Sequence, residues 1–290
     1  MHAATFVTAR PGSKENLMSD AISRRAALTT FGGVGVAALL AACGSDSNGS
    51  SASSGASTLG ATGASTGSTS SGDSAAAGSS RSDCEAVPVE TAGPFPGDGS
   101  NGPDVLSQDG VVRRDITSSF AGMSGTADGV PLEVEFRLVA ADGCTPLPGA
   151  AMYAWHCDAT GGYSLYSDGL ADQNYLRGVQ VADDDGVVRF TSVFPGCYPG
   201  RWPHMHFEVY SDVASATGGG AVVATSQLAF PADASESVYA DNRYGNSAAS
   251  LSQLSLESDN VFADDGGVLQ LATMSGDPAS GYTARLDVAV

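Results

Sequence analysis

The chain has 290 residues, with 37 Gly, 13 Pro and 5 Cys, and its formal charge is −19 at pH 7. This length suits one domain of ordinary size with extensions, or two small domains. Only 13 Lys and Arg residues stand against 32 Asp and Glu residues. The resulting negative potential repels nucleic acid phosphates and anionic lipid headgroups, so we exclude nucleic acid as a partner.

The first 43 residues have the pattern of an export signal. Arg24 and Arg25 precede a weakly apolar run, residues 31–42, which ends at Cys43 in the sequence Leu-Ala-Ala-Cys. Paired arginines before a glycine-rich apolar stretch are typical of twin-arginine signals, and Leu-Ala-Ala-Cys resembles a bacterial lipobox. A membrane span needs roughly 20 apolar residues, and this run is shorter. We predict an exported bacterial protein that faces the extracytoplasmic side and touches the membrane only through lipidated Cys43.

A change of composition marks the boundary between a linker and a folded domain. Residues 44–82 are almost entirely Gly, Ser, Ala and Thr. Such a segment has too little apolar surface to offset the entropy of ordering, so we predict a flexible linker. Residues 83–290 are mixed apolar and acidic, with frequent turn residues, and we predict that they form one domain.

The domain has the pattern of an all-β protein. Residues 132–138 alternate apolar and charged side chains without exception, which predicts a strand with one buried face. The sequence Asp-Asp-Asp-Gly at 183–186 predicts a hairpin turn. Many short strands at this spacing predict a β-sandwich of two mixed or antiparallel sheets, with short helical turns in the loops around residues 236–243 and 251–256. The other predicted strands are Ala151–Cys157, Val179–Ala182, Val187–Ser192, Met205–Tyr210, Val222–Ala229, Val268–Met274 and Ala284–Val290.

Four cysteines follow Cys43, at positions 84, 144, 157 and 197. An exported protein folds in an oxidising compartment, where an even number of cysteines favours disulfides over free thiols. Three pairings are possible. We favour Cys84–Cys144 with Cys157–Cys197, because the second pair joins the two segments that carry the candidate metal ligands described next. A thiolate metal site is the alternative, although C-x-x-C spacing is missing.

Two short segments carry residues suited to metal chemistry, 155–163 (WHCDATGGY) and 194–207 (FPGCYPGRWPHMHF). His204 and His206 are two of only four histidines in the chain. On a strand, residues two apart project from one face, so both imidazoles point away from the apolar side chains between and after them. Two neutral imidazoles side by side are a common pair of metal ligands. Two surface histidines on an edge strand are the alternative.

Two tyrosines accompany these histidines. Tyr198 lies six residues before His204, and Tyr163 follows the pair Gly161 and Gly162. Phenolate oxygen is a hard, anionic donor that matches Fe(III). Each tyrosine alone fits a role in core or rim packing better, but the four side chains together predict a ferric iron site.

The two segments resemble the motifs of one enzyme family. The first reads W-x-x-D-A-x-G-x-Y, and the second reads P-G-x-Y-P followed by R-x-x-H-x-H. This is similar to the pattern of the intradiol ring-cleaving dioxygenases, the family of catechol and protocatechuate 3,4-dioxygenases. The similarity extends over about residues 90–230 and includes the sequence ETAGPF at 90–95. It implies the β-sandwich of that family, a non-haem Fe(III) cofactor, and a catechol-type diol and O₂ as partners.

The resemblance also implies a role for each matching residue. A catechol that chelates the iron would displace Tyr198, which would accept a proton from it. Arg201 would lie beside the bound ring and stabilise negative charge, and Gln227 would hold that arginine in place. The implied reaction opens the ring between its two hydroxyls and gives a muconate-type dicarboxylate. The implied iron ligands are Tyr163, Tyr198, His204 and His206.

Two alternatives stay open. The domain can be an exported module that binds a metal or a ligand without turnover, or the H-x-H pair can belong to a copper or zinc site. Arg201 close to both histidines favours catalysis, because a purely structural metal needs no nearby cation. The loop between Tyr198 and His204 is shorter than in the soluble cytosolic enzymes of the family, so the ring substituents of the substrate stay open, as does the oligomeric state.

Overall fold

The computed structural model describes residues 85–290 of the chain. These residues contain eight strands and several short helices, which are joined by loops. The predicted export signal, residues 1–43, and the predicted linker, 44–82, lie outside the described residues. No helix within 85–290 is both long and apolar enough to cross a bilayer. The strands are β1 Pro131–Val139, β2 Ala151–Trp155, β3 Arg177–Val181, β4 Val187–Val193, β5 His204–Tyr210, β6 Val222–Ala229, β7 Thr273–Asp277 and β8 Gly281–Ala289.

The strands form two four-stranded sheets. One sheet has the order β4-β1-β8-β7 and the other the order β3-β2-β5-β6. Neighbouring strands are antiparallel except for β1 and β8, which are parallel. The predicted all-β sandwich of mixed or antiparallel sheets is therefore confirmed. We call the first sheet the outer sheet and the second the site sheet.

Strict alternation along β1 places one of its faces in the core. Val134 and Phe136 are fully buried there, while Glu133 on the opposite face is part of a network of charged side chains. Across the core, the site sheet contributes Phe207, whose ring lies 5.2 Å from that of Phe136. Apolar side chains from both sheets interdigitate in this way over the whole contact, which is how an aligned sandwich buries its core.

Arginine is the only basic residue type besides histidine in residues 85–290, and all of these arginines have acceptors. Residues 85–290 contain eight arginines and no lysine. Six of the arginines pair with Asp or Glu carboxylates. The other two, Arg113 and Arg177, donate mainly to backbone carbonyls. Every cation in the described part of the chain is therefore already matched by an acceptor.

The site sheet is buried on both faces, because a second layer of chain covers the face that points away from the core. All seven residues of β5 are buried. Tyr153 and Trp155 of β2 pack beneath Val105 and Val111 of the preceding long segment. Helix α1, Val213–Thr217, lies against β2, β3 and β5. Polar residues on this face are consequently shielded from water.

Two sequence predictions are wrong, one about a hairpin and one about the start of a strand. Residues 183–186 do form a turn, with Gly186 at φ +77° and the Asp183 carboxylate accepting from the Val187 N–H. The turn does not close a hairpin, because β3 pairs with β2 while β4 pairs with β1 in the other sheet. The strand predicted at 268–274 begins instead at Thr273, because Gly266 and Gly267 both have positive φ and continue a series of turns.

A helical excursion, residues 230–272, connects β6 to β7 in the position where helical turns were predicted. It contains helices α2, Ala232–Val238, and α3, Ser247–Leu251, and two 3₁₀ turns, Asn242–Tyr244 and Leu256–Ser258. Tyr244 anchors it to the sandwich, since its hydroxyl donates to the Phe194 carbonyl and accepts from the Val130 N–H. The excursion thereby lies next to the segment that leads into β5.

Candidate metal centre

The two sequence motifs touch through their glycines. A Cβ on Gly196 would lie 2.6 Å from the Ala159 carbonyl oxygen, so only glycine permits this approach. Gly161 has φ +88°, and a Cβ there would lie 3.1 Å from Cβ of Tyr198. Asp158 shapes the first loop by accepting hydrogen bonds from the backbone N–H groups of residues 160 and 162. These close backbone contacts bring the loop of the first motif against the second.

Three polar atoms from the two motifs converge at one point. The Tyr198 hydroxyl lies 3.1 Å from His204 Nε2, and the Tyr163 hydroxyl lies 3.3 Å from each of them. The His206 ring is next to this group, with its centroid 4.8 Å from that of His204 and 6.2 Å from that of Tyr163. The structure therefore brings together all four predicted ligand side chains.

The spacing of the three atoms fits a shared metal ion. Donor atoms that each lie about 2 Å from one ion, at right angles to one another, are about 2.9 Å apart. The observed separations of 3.1–3.3 Å are close to that value. No group of three His, Cys, Asp or Glu side chains able to hold a metal occurs among residues 85–290. The two-tyrosine, two-histidine set is therefore the metal candidate, and its hard phenolic oxygens fit Fe(III).

The backbone fixes which nitrogen of His204 faces this point. Nδ1 lies 2.5 Å from the Trp202 carbonyl oxygen, which can only accept, so Nδ1 carries the proton. Nε2 is then left with its lone pair directed at the two tyrosine hydroxyls. A second hydrogen bond of this kind is how proteins orient a histidine for metal binding.

His206 is held by packing. Its ring stacks on Trp155 at 4.9 Å and an interplanar angle of 2°. On another side, a Cβ on Gly93, which has φ +70°, would lie 3.1 Å from Cε1 of His206. Nδ1 is buried without a hydrogen-bond partner of good geometry among the described residues, although the Thr91 backbone lies close enough to raise the pKa of the ring. Packing thus holds the imidazole in one orientation, and hydrogen bonds within the described residues do not satisfy the ring.

Burial keeps all four candidate ligands uncharged when no metal ion is bound. Burial, and then the charge of Arg201, lowers the pKa of His204 to about 3. The pKa of His206 is also lowered, by burial and by His204. Burial raises the pKa of Tyr198 to about 12, and that of Tyr163 rises well above its ordinary value. The histidines are therefore neutral at pH 7, and the tyrosines need a nearby positive charge to ionise.

Arg201 is close enough to this group for its charge to lower the pKa of both tyrosines and both histidines. One terminal nitrogen donates to Gln227 Oε1 at 2.6 Å, and Gln227 Nε2 donates to the Thr91 carbonyl. The contact predicted between Gln227 and Arg201 is thus present. Nε of Arg201 donates to a residue that the sequence did not single out, Asp259, at 3.0 Å.

The segment before the first strand also reaches the centre, where a buried arginine that no sequence motif contains holds it. The ring of Phe95 packs on Tyr163 at 4.9 Å. Arg177 is fully buried and donates to the Pro96 carbonyl, the Ser164 carbonyl and the Ser164 hydroxyl. It therefore joins this segment to the residue that follows Tyr163. Its position directly after an aromatic-rich loop gave no signal of such a role.

The predicted disulfide between Cys157 and Cys197 is wrong. Both thiols are free and buried. The Cys157 Sγ donates to the Gly196 carbonyl and the Cys197 Sγ to the Arg201 carbonyl, so each sulfur is directed at a backbone acceptor. The glycine contacts already join the two segments. Cys144 is disulfide-bonded, and Cys84, its predicted partner, lies outside the described residues.

Comparisons with known proteins agree with this geometry. A family model described as dioxygenase matches residues 101–235. Over 53 residues the chain is 42% identical to catechol 1,2-dioxygenase of Pseudomonas sp. (strain EST1001), which covers 18% of this chain and 17% of that protein. Over 54 residues it is 43% identical to chlorocatechol 1,2-dioxygenase of Rhodococcus opacus, covering 19% of this chain and 21% of that protein. The alignments thus span about a fifth of these curated relatives.

A solved structure extends the likeness to the whole domain. The intradiol ring-cleavage dioxygenase from Tetranychus urticae is 25% identical and superposes with a TM-score of 0.54, over 71% of this chain and 94% of that one. The matched residues of the family model include both motifs and all four candidate ligands. The family model, the two sequence relatives and the solved structure together support the intradiol ring-cleavage dioxygenases as the family that this chain resembles.

Proposed function

We propose that the chain is an exported non-haem Fe(III) dioxygenase that opens a catechol-type ring between its two hydroxyls. The observation that carries the proposal is the convergence of Tyr163, Tyr198 and His204 within 3.3 Å of one another. His206 completes the set. The names of the curated relatives, catechol and chlorocatechol 1,2-dioxygenase, support the substrate class.

The four side chains would hold the ion, and the ion would supply a Lewis acid and a template on which a catechol and O₂ react. The protein contributes neutral imidazoles in a fixed orientation. The Trp202 carbonyl holds the one proton of neutral His204 at Nδ1, and burial disfavours a second proton at Nε2. The protein also contributes two phenols whose raised pKa values keep them protonated unless a metal ion is close.

Tyr198 is suited to accept a proton from the substrate. Of the two tyrosines it is the more exposed, since Tyr163 is 2% exposed and Tyr198 only partly buried. Burial raises the pKa of Tyr198 to about 12, so its phenolate would be a strong base. A catechol hydroxyl next to the Tyr198 oxygen would therefore transfer its proton to that oxygen.

Arg201 is suited to stabilise negative charge on the reacting ring. Its side chain is only 14% exposed, so its charge acts in a medium with little water, where an electrostatic contact is strong. Gln227 and Asp259 accept from two of its nitrogens, and the third, Nη1, has no hydrogen-bond partner among residues 85–290. Such a cation has no purpose in a structural metal site and favours turnover over mere binding.

The test is oxygen uptake by iron-loaded protein with catechol, protocatechuate and hydroxyquinol, with the product identified by mass spectrometry and NMR. We expect one O₂ consumed per ring and a dicarboxylate cleaved between the hydroxyls. Tyr163→Phe should shift or bleach the visible phenolate-to-iron band and reduce turnover. Absence of uptake in iron-replete protein whose spectrum still responds to catechol would support the non-catalytic binding module instead.

We also propose that the protein is a lipid-anchored, exported enzyme, on the strength of the twin-arginine pattern and the Leu-Ala-Ala-Cys sequence at Cys43. Cys43→Ser should abolish labelling of the protein by an alkyne fatty acid in bacterial cells. Replacing Arg24 and Arg25 together by lysine should keep the protein in the cytoplasm. Normal export of the double-lysine variant would exclude the twin-arginine route. It would not bear on lipidation, which the Cys43→Ser variant tests.

A further inference from the structure

A buried carboxylate in the helical excursion, that of Asp259, contacts the guanidinium of Arg201. Asp259 has no exposed side-chain surface. Its Oδ2 accepts from Nε of Arg201 at 3.0 Å and from the Trp202 N–H at 2.6 Å. Its Oδ1 accepts from the Val261 and Phe262 N–H groups at 2.8 and 3.2 Å. Each oxygen therefore has two donors, and the carboxylate is fully satisfied inside the protein.

This hydrogen bonding keeps Asp259 ionised in spite of its burial. Burial alone would raise its pKa, but the Trp202 N–H, the charge of Arg201 and the Val261 N–H outweigh it, so the pKa is lowered. A buried carboxylate with a good ion partner and several N–H donors is a rigid element, because moving it away from the cation would leave an uncompensated buried charge. Asp259 can thus set the direction of the guanidinium.

The same carboxylate also acts on the peptide that orients a candidate ligand. The Trp202 N–H donates to Asp259, and the Trp202 carbonyl accepts from Nδ1 of His204. Both hydrogen bonds are made by backbone groups of the same residue, Trp202, so Asp259 and His204 are linked through that one residue. The Trp202 side chain is held as well, since its Nε1 donates to the Phe230 carbonyl at 2.8 Å. Residues 201 and 202 are therefore fixed from the side of the excursion.

We infer that Asp259 is a positioning residue for the reaction, acting through Arg201. The inference rests on the proposed function and deepens it. Asp259 lies beyond residues 101–235, the part of the chain that matches the family model. The excursion therefore contributes to the site, although none of its residues belongs to the two sequence motifs.

Asp259→Asn is the first variant to test. It removes the charge, and it places an NH₂ group against N–H donors on one side or the other, because all four partners of the carboxylate are donors. A small displacement of a positioned group costs up to about 100-fold in rate. We expect kcat to fall about 10-fold to 100-fold with KM for catechol changed much less, and with iron content retained.

A double-mutant cycle decides whether Asp259 acts through Arg201. Asp259→Asn, Arg201→Ala and the double variant are compared with the wild type for kcat with catechol and for catechol Kd from the visible spectrum. If Asp259 only positions Arg201, adding Asp259→Asn to Arg201→Ala causes no further loss. Independent losses that multiply in the double variant would overturn the inference.

Asp241→Asn is the matched control. Asp241 lies in the same excursion and pairs with Arg243 at 2.7 Å, but on the surface. It should leave kcat and the catechol spectrum unchanged, while thermal melting of all variants shows whether each is folded. If wild-type protein binds catechol without turnover, the proposed function fails, and the positioning role fails with it. If the wild type is active and the losses in kcat multiply in the double variant, the inference about Asp259 fails alone.

Discussion

The outer sheet and the site sheet use polar residues in opposite ways. On the outer sheet, acidic and basic side chains alternate with core residues and pair in water, as Glu135 does with Arg189 and Arg285. On the site sheet, His206, Glu208 and Gln227 occupy equivalent outward positions but are buried. Exposed pairs contribute little to folding, whereas a buried polar group costs free energy unless it is bonded.

The contrast indicates where functional residues lie in a β-sandwich. A buried polar residue on a strand has either a hydrogen-bond partner or a ligand that takes its place. Glu208 has the first, because the Tyr210 hydroxyl donates to it at 2.7 Å. His206 lacks a well-formed bond at Nδ1 and lies beside the donor atoms of three other side chains. Substitutions in both sheets can test this contrast.

The largest effect is expected for His206→Ala. Removing a ligand should reduce iron affinity by more than the roughly 10–100-fold that loss of an outer partner costs, and turnover should disappear. Iron content after dialysis and oxygen uptake give the measurement. Glu208→Gln, two residues along the same strand and equally buried, is the control and should retain iron. A fully iron-loaded His206→Ala protein would remove this histidine from the proposed ligand set.

Arg201→Ala should cost less, because it leaves the ligands in place. Loss of one stabilising donor in a site shielded from water lowers kcat by about 10²–10³, or about 3–4 kcal/mol. The protein should still bind iron, and its visible spectrum should still respond to catechol. Arg189→Ala on the outer sheet removes a cation paired with two carboxylates and should leave kcat unchanged. Equal activity losses in the two variants would contradict the contrast.

Acid should destabilise the domain, because the unfolded chain takes up a proton at His156 that the folded domain does not. Burial, partly offset by the Cys157 carbonyl and Asp158, lowers the pKa of His156 to about 4. Because the unfolded chain binds the proton near pH 6.5, this stabilisation is complete above pH 6.5 and is lost as the pH falls toward about 4. The loss is about 3 kcal/mol between pH 7 and pH 4.

Urea unfolding at several pH values tests this, with His156→Gln as the comparison. The variant should be less stable at pH 7, since it disturbs the bonds to Ser192 and the Cys157 carbonyl. Its free energy of unfolding should nevertheless fall less steeply between pH 6.5 and 4. Strands β1, β4, β7 and β8 contain no histidine. A slope unchanged by the substitution would show that His156 titrates normally.

The smallest effect is expected on the outer sheet. Glu133 and Arg114 form an ion pair at 2.9 Å, but their side chains are 42% and 56% exposed. Such pairs contribute about 0–1 kcal/mol, so Glu133→Gln should change the free energy of unfolding by no more than that. Kinetics and iron content should be those of the wild type. A loss of several kcal/mol would show that the charged face of this sheet contributes more than its exposure indicates.

Alternation and motif spacing were sufficient to predict most of the strands and the four candidate ligands. They work because a strand with one wet face has a period of two, and because both motifs are short and local. The partners of the turn at 183–186 were wrong, since a turn sequence does not reveal which sheet each flanking strand joins. The thiols of Cys157 and Cys197 were wrongly paired because close approach of two segments does not imply sulfur-to-sulfur geometry.

Asp259 and Arg177 were missed for a different reason. Each acts through contacts with residues more than 50 positions away or with backbone carbonyls. Neither lies in a motif, and an acidic residue in a Ser- and Asp-rich stretch resembles a solvated one. Only the fold shows that Asp259 is buried beneath Arg201.

Every arginine in residues 85–290 has an acceptor, and this affects how fast a substrate reaches the candidate centre and a product leaves it. With no lysine and every arginine already paired or bonded, the excess carboxylates produce a negative field around the domain. An uncharged catechol approaches through this field without penalty, whereas a ring that carries a carboxylate is slowed. The proposed product has two carboxylates, so the same field accelerates its departure, and added salt would diminish both effects.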